Sequence, residues 1–355
     1  MKRWLIVIAA QFSLVLLLAA AVGAQDELDR QFFTLKDSGG RIICRTAQRV
    51  VSGDRYLNSA NRLYEVTKVN KLVAQVKIVS TKAKPKSLFA QAQSALLELW
   101  KTQTAVKTRG PICIYHTHTD EAYLPTEGVS SEKVRGGVVD VGTAIAKAFE
   151  EKGIPVIHST TSNVPHDAMA YDRSRRTAVQ FLKQQPPVIL DVHRDAVPKA
   201  EYLTRVGNKP TAKIQLVVGR QNPNFYANNE YAKRVKDAVN RKCPGLVKGI
   251  FYGKGKYNQD LGPRALLLEC GTNTCSEAEA IRGGRIFAAA ATDVLYGSAG
   301  NWSSNMGSWR SMWIIVLAVG GIIGFFLLIN RRGLTSIGRE FGGSDDSTDR
   351  DKKDG

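Results

Sequence analysis

From residue 111 onward the chain alternates two kinds of segment with a regularity that few folds accommodate. Short apolar, β-branched runs stand at "ICIY" (112–115), "IPVIH" (154–158), "PVILDV" (187–192), "IQLVVG" (214–219), "GIFY" (249–252) and "ALLLEC" (265–270). Stretches with helical spacing near 138–152, 169–184, 225–241 and 277–296 lie between most of them. This alternation predicts an α/β fold, a mostly parallel sheet flanked by helices, over 111–298. Unbroken apolar runs fit strands buried on both faces, as parallel strands are. Residues 31 to about 80 differ. Their β-branched and aromatic runs are broken by Ser-Gly-Gly, Ser-Gly-Asp and Asn-rich turns, which predicts a small N-terminal β-domain within 25–86. A connecting helix and linker then occupy 87–110, with Leu88, Phe89, Ala92, Ala95, Leu96, Leu99 and Trp100 on one stripe.

In open α/β sheets ligands bind beyond the carboxyl ends of the strands, so the residues that follow each run matter most. "ICIY" leads into His116, His118 and Glu121; "PVILDV" leads into His193, Arg194 and Asp195; "ALLLE" ends on Glu269. Three of only five histidines and the carboxylates of Glu121 and Glu269 thus collect at one expected edge. His and carboxylate ligands around zinc, with a position left open for water, form the usual catalytic zinc site. A further carboxylate can then accept the proton of that water. Taken singly, each residue has a plainer reading: a satisfied histidine, a Glu269 paired with an arginine, or Asp191 and Asp195 capping loops. Their coincidence favours a metal hydrolase. His116 and His118 stand at i and i+2, and in an extended segment both point to one face.

The two ends carry targeting patterns. Residues 1–24, with Lys2 and Arg3 before a long apolar stretch and Val22-Gly23-Ala24 after it, read as a secretory signal cut after Ala24. An uncleaved anchor is the alternative. "MWIIVLAVGGIIGFFLLIN", 312–330, has the ~20 apolar residues that a bilayer-spanning helix needs. Arg331 and Arg332 follow it, which sets the tail 331–355 in the cytoplasm. The expectation is a single-pass cell-membrane protein with an extracytoplasmic catalytic domain. The formal charge is +18, and the tail contributes nothing to it, holding six basic and six acidic residues. A basic surface outside the cell favours an anionic envelope or lipid surface over nucleic acid, although solubility alone is a sufficient reason for charge. The five cysteines have no CxxC spacing, and Cys113 reads as a small buried hydrophobe.

"IYHTHTDEAY", "YDRSRRTAVQFL", "ILDVHRDA", "LVVGRQNPN" and "YNQDLGPRALLLECGTN" resemble, in order, the blocks of the stage II sporulation protein P family over about 111–295. The N-terminal "AQRVVSGDRYLNSANRLYEV" resembles what precedes the catalytic domain in that family. The resemblance implies a zinc-dependent peptidoglycan hydrolase, related to the N-acetylmuramoyl-L-alanine amidases, acting in sporulation or envelope remodelling. It implies zinc ligands among His116, His118, Glu121 and His193, with His118 favoured over His116 by analogy with the wider amidase group. Glu269 becomes the catalytic carboxylate, and Arg194, Asn222 and Asn258 are expected to hold the stem peptide or glycan. Peptidoglycan, the membrane and other wall or sporulation proteins are the expected partners. Two rival readings stand beside this one: an inactive envelope scaffold that recruits other hydrolases, and a zinc hydrolase of another envelope amide or ester.

Overall fold

A computed structural model of the chain describes residues 31–79 and 110–296. Five strands come first: β1 (Phe33–Lys36), β2 (Ile42–Thr46), β3 (Arg55–Asn58), β4 (Leu63–Asn70) and β5 (Val73–Ile78). After residue 110 follow β6 (Ile112–Tyr115), α1 (Val138–Glu150), β7 (Val156–His158), α2 (Ala170–Leu182) and β8 (Ile189–Asp195). Next come the hairpin β9 (Leu203–Val206) and β10 (Lys209–Ala212), then β11 (Ile214–Gly219) and α3 (Phe225–Lys242). The described part closes with β12 (Val247–Gly253), β13 (Ala265–Thr272) and α4 (Glu277–Leu295). Every helix and strand expected after residue 111 is present. The β9–β10 hairpin is an addition that the sequence pattern did not announce.

Eleven strands form one sheet in the order β2-β1-β5-β4-β3-β12-β11-β13-β8-β6-β7. Of its ten neighbouring pairs, β1–β5, β6–β7, β6–β8, β8–β13 and β11–β12 are parallel and the other five antiparallel. The expected mostly parallel sheet is therefore a mixed one. Two causes are visible. β13 inserts between β8 and β11 and runs antiparallel to β11. And β3 pairs antiparallel with β12, so the N-terminal strands extend the main sheet and do not stand as a sheet of their own. Pairing at that edge satisfies backbone groups that β12 would otherwise leave open.

The two faces of the sheet are covered differently. Along β8, side chains alternate by a period of two. Leu190 and Val192 join the core shared with α1, α3 and α4, together with Ile114, Leu216, Ile250, Leu268, Val141, Val235 and Phe287. On the other face, Cys113, Tyr115 and Ile189 pack with Ala178 and Phe181 of α2. Val217, Phe251 and Leu267 continue that face into Tyr56, Tyr64 and Val66 of the N-terminal strands. α4 starts where it does because Ser276 and Glu279 close a reciprocal capping box, each side chain satisfying the other's backbone N–H.

The expected C-terminal transmembrane helix is not found among the described elements. Among the described residues, no helix is long and apolar enough to cross a membrane. The run 312–330, the signal 1–24 and the Leu88–Trp100 stripe lie outside those residues. The single-pass cell-membrane placement that rested on 312–330 accordingly has no support in the described fold.

Candidate metal centre and active site

β6, β8 and β13 run in the same direction and end at one edge, and the chemistry gathers there. In the β13–β8 register Glu269 stands opposite His193, so both side chains leave the sheet on the α2 face. His193 is completely buried, with Nε2 3.0 Å from Asp191 Oδ1 and Nδ1 3.5 Å from Glu121 Oε1. Burial alone would lower the pKa of His193, but Asp191 and Glu121 outweigh it and raise it well above the ordinary range, an environment that favours positive charge at this ring, whether from a proton or from a cation that displaces it. Asp191 is itself fixed, accepting hydrogen bonds from the N–H of Thr117 (2.8 Å) and from its hydroxyl (2.6 Å). Glu121 Oε2 accepts the N–H of Arg194 at 2.9 Å.

The two neighbouring histidines part company. The chain leaves β6 at Tyr115, which breaks the extended geometry that would have kept His116 and His118 on one side. His116 turns toward α1: Nδ1 lies 2.8 Å from the carbonyl of Val192 and Nε2 2.9 Å from His158 Nε2. A Cβ at Gly142 of α1 would come 2.5 Å from the His116 ring, so only glycine lets the helix approach. Burial, then the adjacent His158, lowers His116 to about 3; burial, then Arg135, lowers His158 to about 4. Both rings are neutral at physiological pH, and both His116 nitrogens are engaged. His118 turns the other way, meeting His193 edge-on with centroids 5.2 Å apart at 83°, and Tyr171 at 5.8 Å. Its Nδ1 is buried without a hydrogen-bond partner, as is Glu121 Oε1. Burial, aided by His166 and His193, drives its pKa well below the ordinary range, which leaves the neutral form a metal ligand requires.

A second grouping adjoins the first. His118, Asp120 and His166 bring ligand atoms within 4.8 Å of one another. His166 Nδ1 lies 3.2 Å from Asp120 Oδ2, which also accepts the Ser131 hydroxyl at 2.6 Å. The rings of His118 and His166, however, are parallel to 2° at 3.8 Å. Among the described residues His118, Asp120 and His166 are the grouping whose ligand atoms come this close, while His118 meets His193 edge-on and His193 in turn lies beside Glu121.

Of the three other expected site residues, Arg194 stands beside Glu121 and the two asparagines lie elsewhere. Arg194 is buried and donates to the Ser130 carbonyl at 2.9 Å, pinning the segment that carries Glu121. Asn258 is one layer behind the histidines; it donates to the Tyr171 carbonyl (3.1 Å) and Ser174 Oγ (3.2 Å) and accepts from Arg175. Asn222 follows β11, and because β11 opposes β13, it sits at the far edge, bonded to the Gly219 carbonyl. Sequence reasoning passed over Asp191 as an orienting group, His166, Tyr171 and Gln48. His166 was open to notice as one of five histidines. Nothing local in "TAQRVV" marked Gln48, whose side chain donates to Glu269 Oε1 at 2.8 Å.

Comparison with known proteins adds the following. Residues 42–292 match the family model described as Stage II sporulation protein P. Stage II sporulation protein P of Bacillus subtilis (strain 168) is 32% identical over 179 residues, 45% of each chain. The chain thus spans about half the length of that curated relative. Among solved structures, an N-acetylmuramoyl-L-alanine amidase of Nostoc punctiforme has a TM-score of 0.35 at 12% identity, over 53% of this chain and 96% of its own. The catalytic domain of another, from Bacillus (Paenibacillus) polymyxa var. colistinus, scores 0.34 at 11%, over 53% and 99%.

Proposed function

The chain belongs to the Stage II sporulation protein P family, and on that premise we propose that it is a zinc-dependent peptidoglycan amidase. The bond cut is the amide between N-acetylmuramic acid and the L-alanine of the stem peptide. The observation that supports this reading is the buried row of His118 against His193, His193 Nδ1 3.5 Å from Glu121 Oε1, and Glu269 opposite His193 in the β13–β8 register. These residues fit zinc: two imidazoles and one carboxylate, with His118 Nδ1 and Glu121 Oε1 buried and lacking hydrogen-bond partners.

Each residue then has a task. Asp191 engages His193 Nε2 and so turns Nδ1 toward Glu121. The Arg194 backbone N–H fixes Oε2 of Glu121, while Oε1 faces His193 Nδ1 at 3.5 Å and the Arg194 guanidinium at 3.9 Å and is the oxygen offered to the metal. A zinc ion held there would supply Lewis-acid polarisation of the amide carbonyl and lower the pKa of water toward ~7. Glu269 takes the proton of the attacking water and returns it to the departing L-alanine nitrogen. His116 remains structural, locked between Val192 and His158.

Glu269→Gln tests the assignment, since it keeps the shape and removes the proton acceptor. The variant is expected to hold zinc and bind sacculi normally while peptide release falls about 10²–10⁴-fold. Loss of zinc would make Glu269 a ligand, and an unchanged rate would sink the mechanism. Wild-type protein that holds zinc, binds sacculi and releases nothing would instead establish a scaffold.

A further inference from the structure

We propose that Gln48, carried into the site by the N-terminal strands, is the positioning residue for Glu269. The inference rests on the reading of Glu269 as the catalytic carboxylate. Gln48 has no solvent exposure, and its Nε2 donates to Glu269 Oε1 at 2.8 Å. These two residues stand 221 positions apart, and the docking of β3 on β12 helps to bring the β2–β3 connection to the end of β13.

The segment holding Gln48 is fastened more firmly than a surface connection needs. The N–H of Ala47 donates to Asp195 Oδ1 at 2.8 Å, at the end of β8, and Asp195 also accepts the Tyr202 hydroxyl at 2.9 Å. Arg45 pairs with Glu201 at 2.7 Å, while Lys248 donates to the Arg45 carbonyl at 3.0 Å and lies over the Tyr202 ring. The N–H of Gln48 itself donates to Thr46 Oγ1 at 3.2 Å. The amide is thereby delivered to a fixed point in a dry environment. Burying an amide has a cost that only a matched partner offsets, and here the partner is the group that must meet the attacking water. One oxygen of Glu269 held by an N–H fixes the carboxylate plane, and with it the direction from which the proton is taken. Reaction geometry is sensitive at this level: displacing a reacting group by about 1 Å can cost 10²-fold in rate.

The test compares Gln48→Met, of similar length and volume but without an N–H, with Gln48→His, which restores an N–H at similar reach. Full-length proteins are assayed on a soluble muramyl-peptide, with zinc content measured alongside, and the Gln48→Met crystal structure is determined. The expected result is a kcat lowered about 10- to 100-fold in Gln48→Met, with KM and zinc content unchanged. Gln48→His recovers part of the rate, and the Met variant shows the Glu269 carboxylate rotated from its wild-type position. A kcat within about twofold of wild type, equal losses in zinc content and kcat, or an unmoved Glu269 in the crystal would each overturn the proposal. If Glu269→Gln is inactive while Gln48→Met is fully active, only this inference fails. If Glu269→Gln keeps the wild-type rate, the catalytic reading fails and the inference with it.

Discussion

Two histidines separated by one threonine meet opposite fates in this protein. His116 spends both nitrogens on Val192 and His158, while His118 faces His193 with Nδ1 uncommitted to any hydrogen bond. Zinc content should follow this division. His118→Ala is expected to lose most of the metal, whereas His158→Gln, which keeps a polar group beside His116, should retain it; elemental analysis of the purified variants decides. Equal zinc in both would remove His118 from the ligand set. The candidate residues themselves were legible because histidine is scarce here and each one followed an apolar run. The direction in which His116 and His118 point was not, because it depends on where β6 ends. Gln48 was illegible for a different reason: its meaning lies in a partner more than two hundred residues away.

At the level of elements, composition reveals that a segment is a strand but not which neighbour it takes. "RYLN" of β3 was readable as extended, and nothing in it names β12. Likewise "ALLLEC" was readable as a buried strand, yet its insertion antiparallel to β11 sent Asn222 to the far edge. The β3–β12 junction makes a sharp prediction. A Cβ on Gly249 would come 2.5 Å from the Leu57 carbonyl oxygen and 2.7 Å from the Tyr56 ring. Gly249→Ala should therefore destabilise the protein by about 1–3 kcal/mol, the usual cost of overpacking, and lower Tm by several degrees in a thermal melt. Gly262→Ala is the control. It has nothing within 4 Å and an extended backbone (φ −164°), so its Tm should match wild type. A Gly249→Ala melt equal to that control would mean the two strand groups are not packed as described.

For the molecule as a whole, acid is the informative stress. His116 and His158 are held neutral, at about 3 and about 4, against about 6.5 in an unfolded chain. Between those values the unfolded state binds more protons on these two rings, so their contribution to stability falls as pH drops from about 6.5 toward 4, opposed in part by the buried carboxyls of Asp54 and Asp195, whose pKa burial raises. Each such histidine adds a slope of up to about 1.4 kcal/mol per pH unit. His193, with its raised pKa, acts in the opposite direction only above about 6.5 and does not mask the effect. Metal-free protein melted at pH 6.5, 5.5 and 4.5 should show a falling Tm, and His158→Gln should shallow the slope; parallel slopes would remove the pair as its source. The sheet also sets an order of events in time. Tyr56 bonds the backbone of Lys248, 192 residues later, so the strands synthesised first complete their pairing almost last. Contacts of such long sequence separation slow folding and prolong the exposure of unpaired edges. During that interval the N-terminal hairpins are open to pairing with another nascent chain, and the Gln48–Glu269 contact closes only when the wait is over.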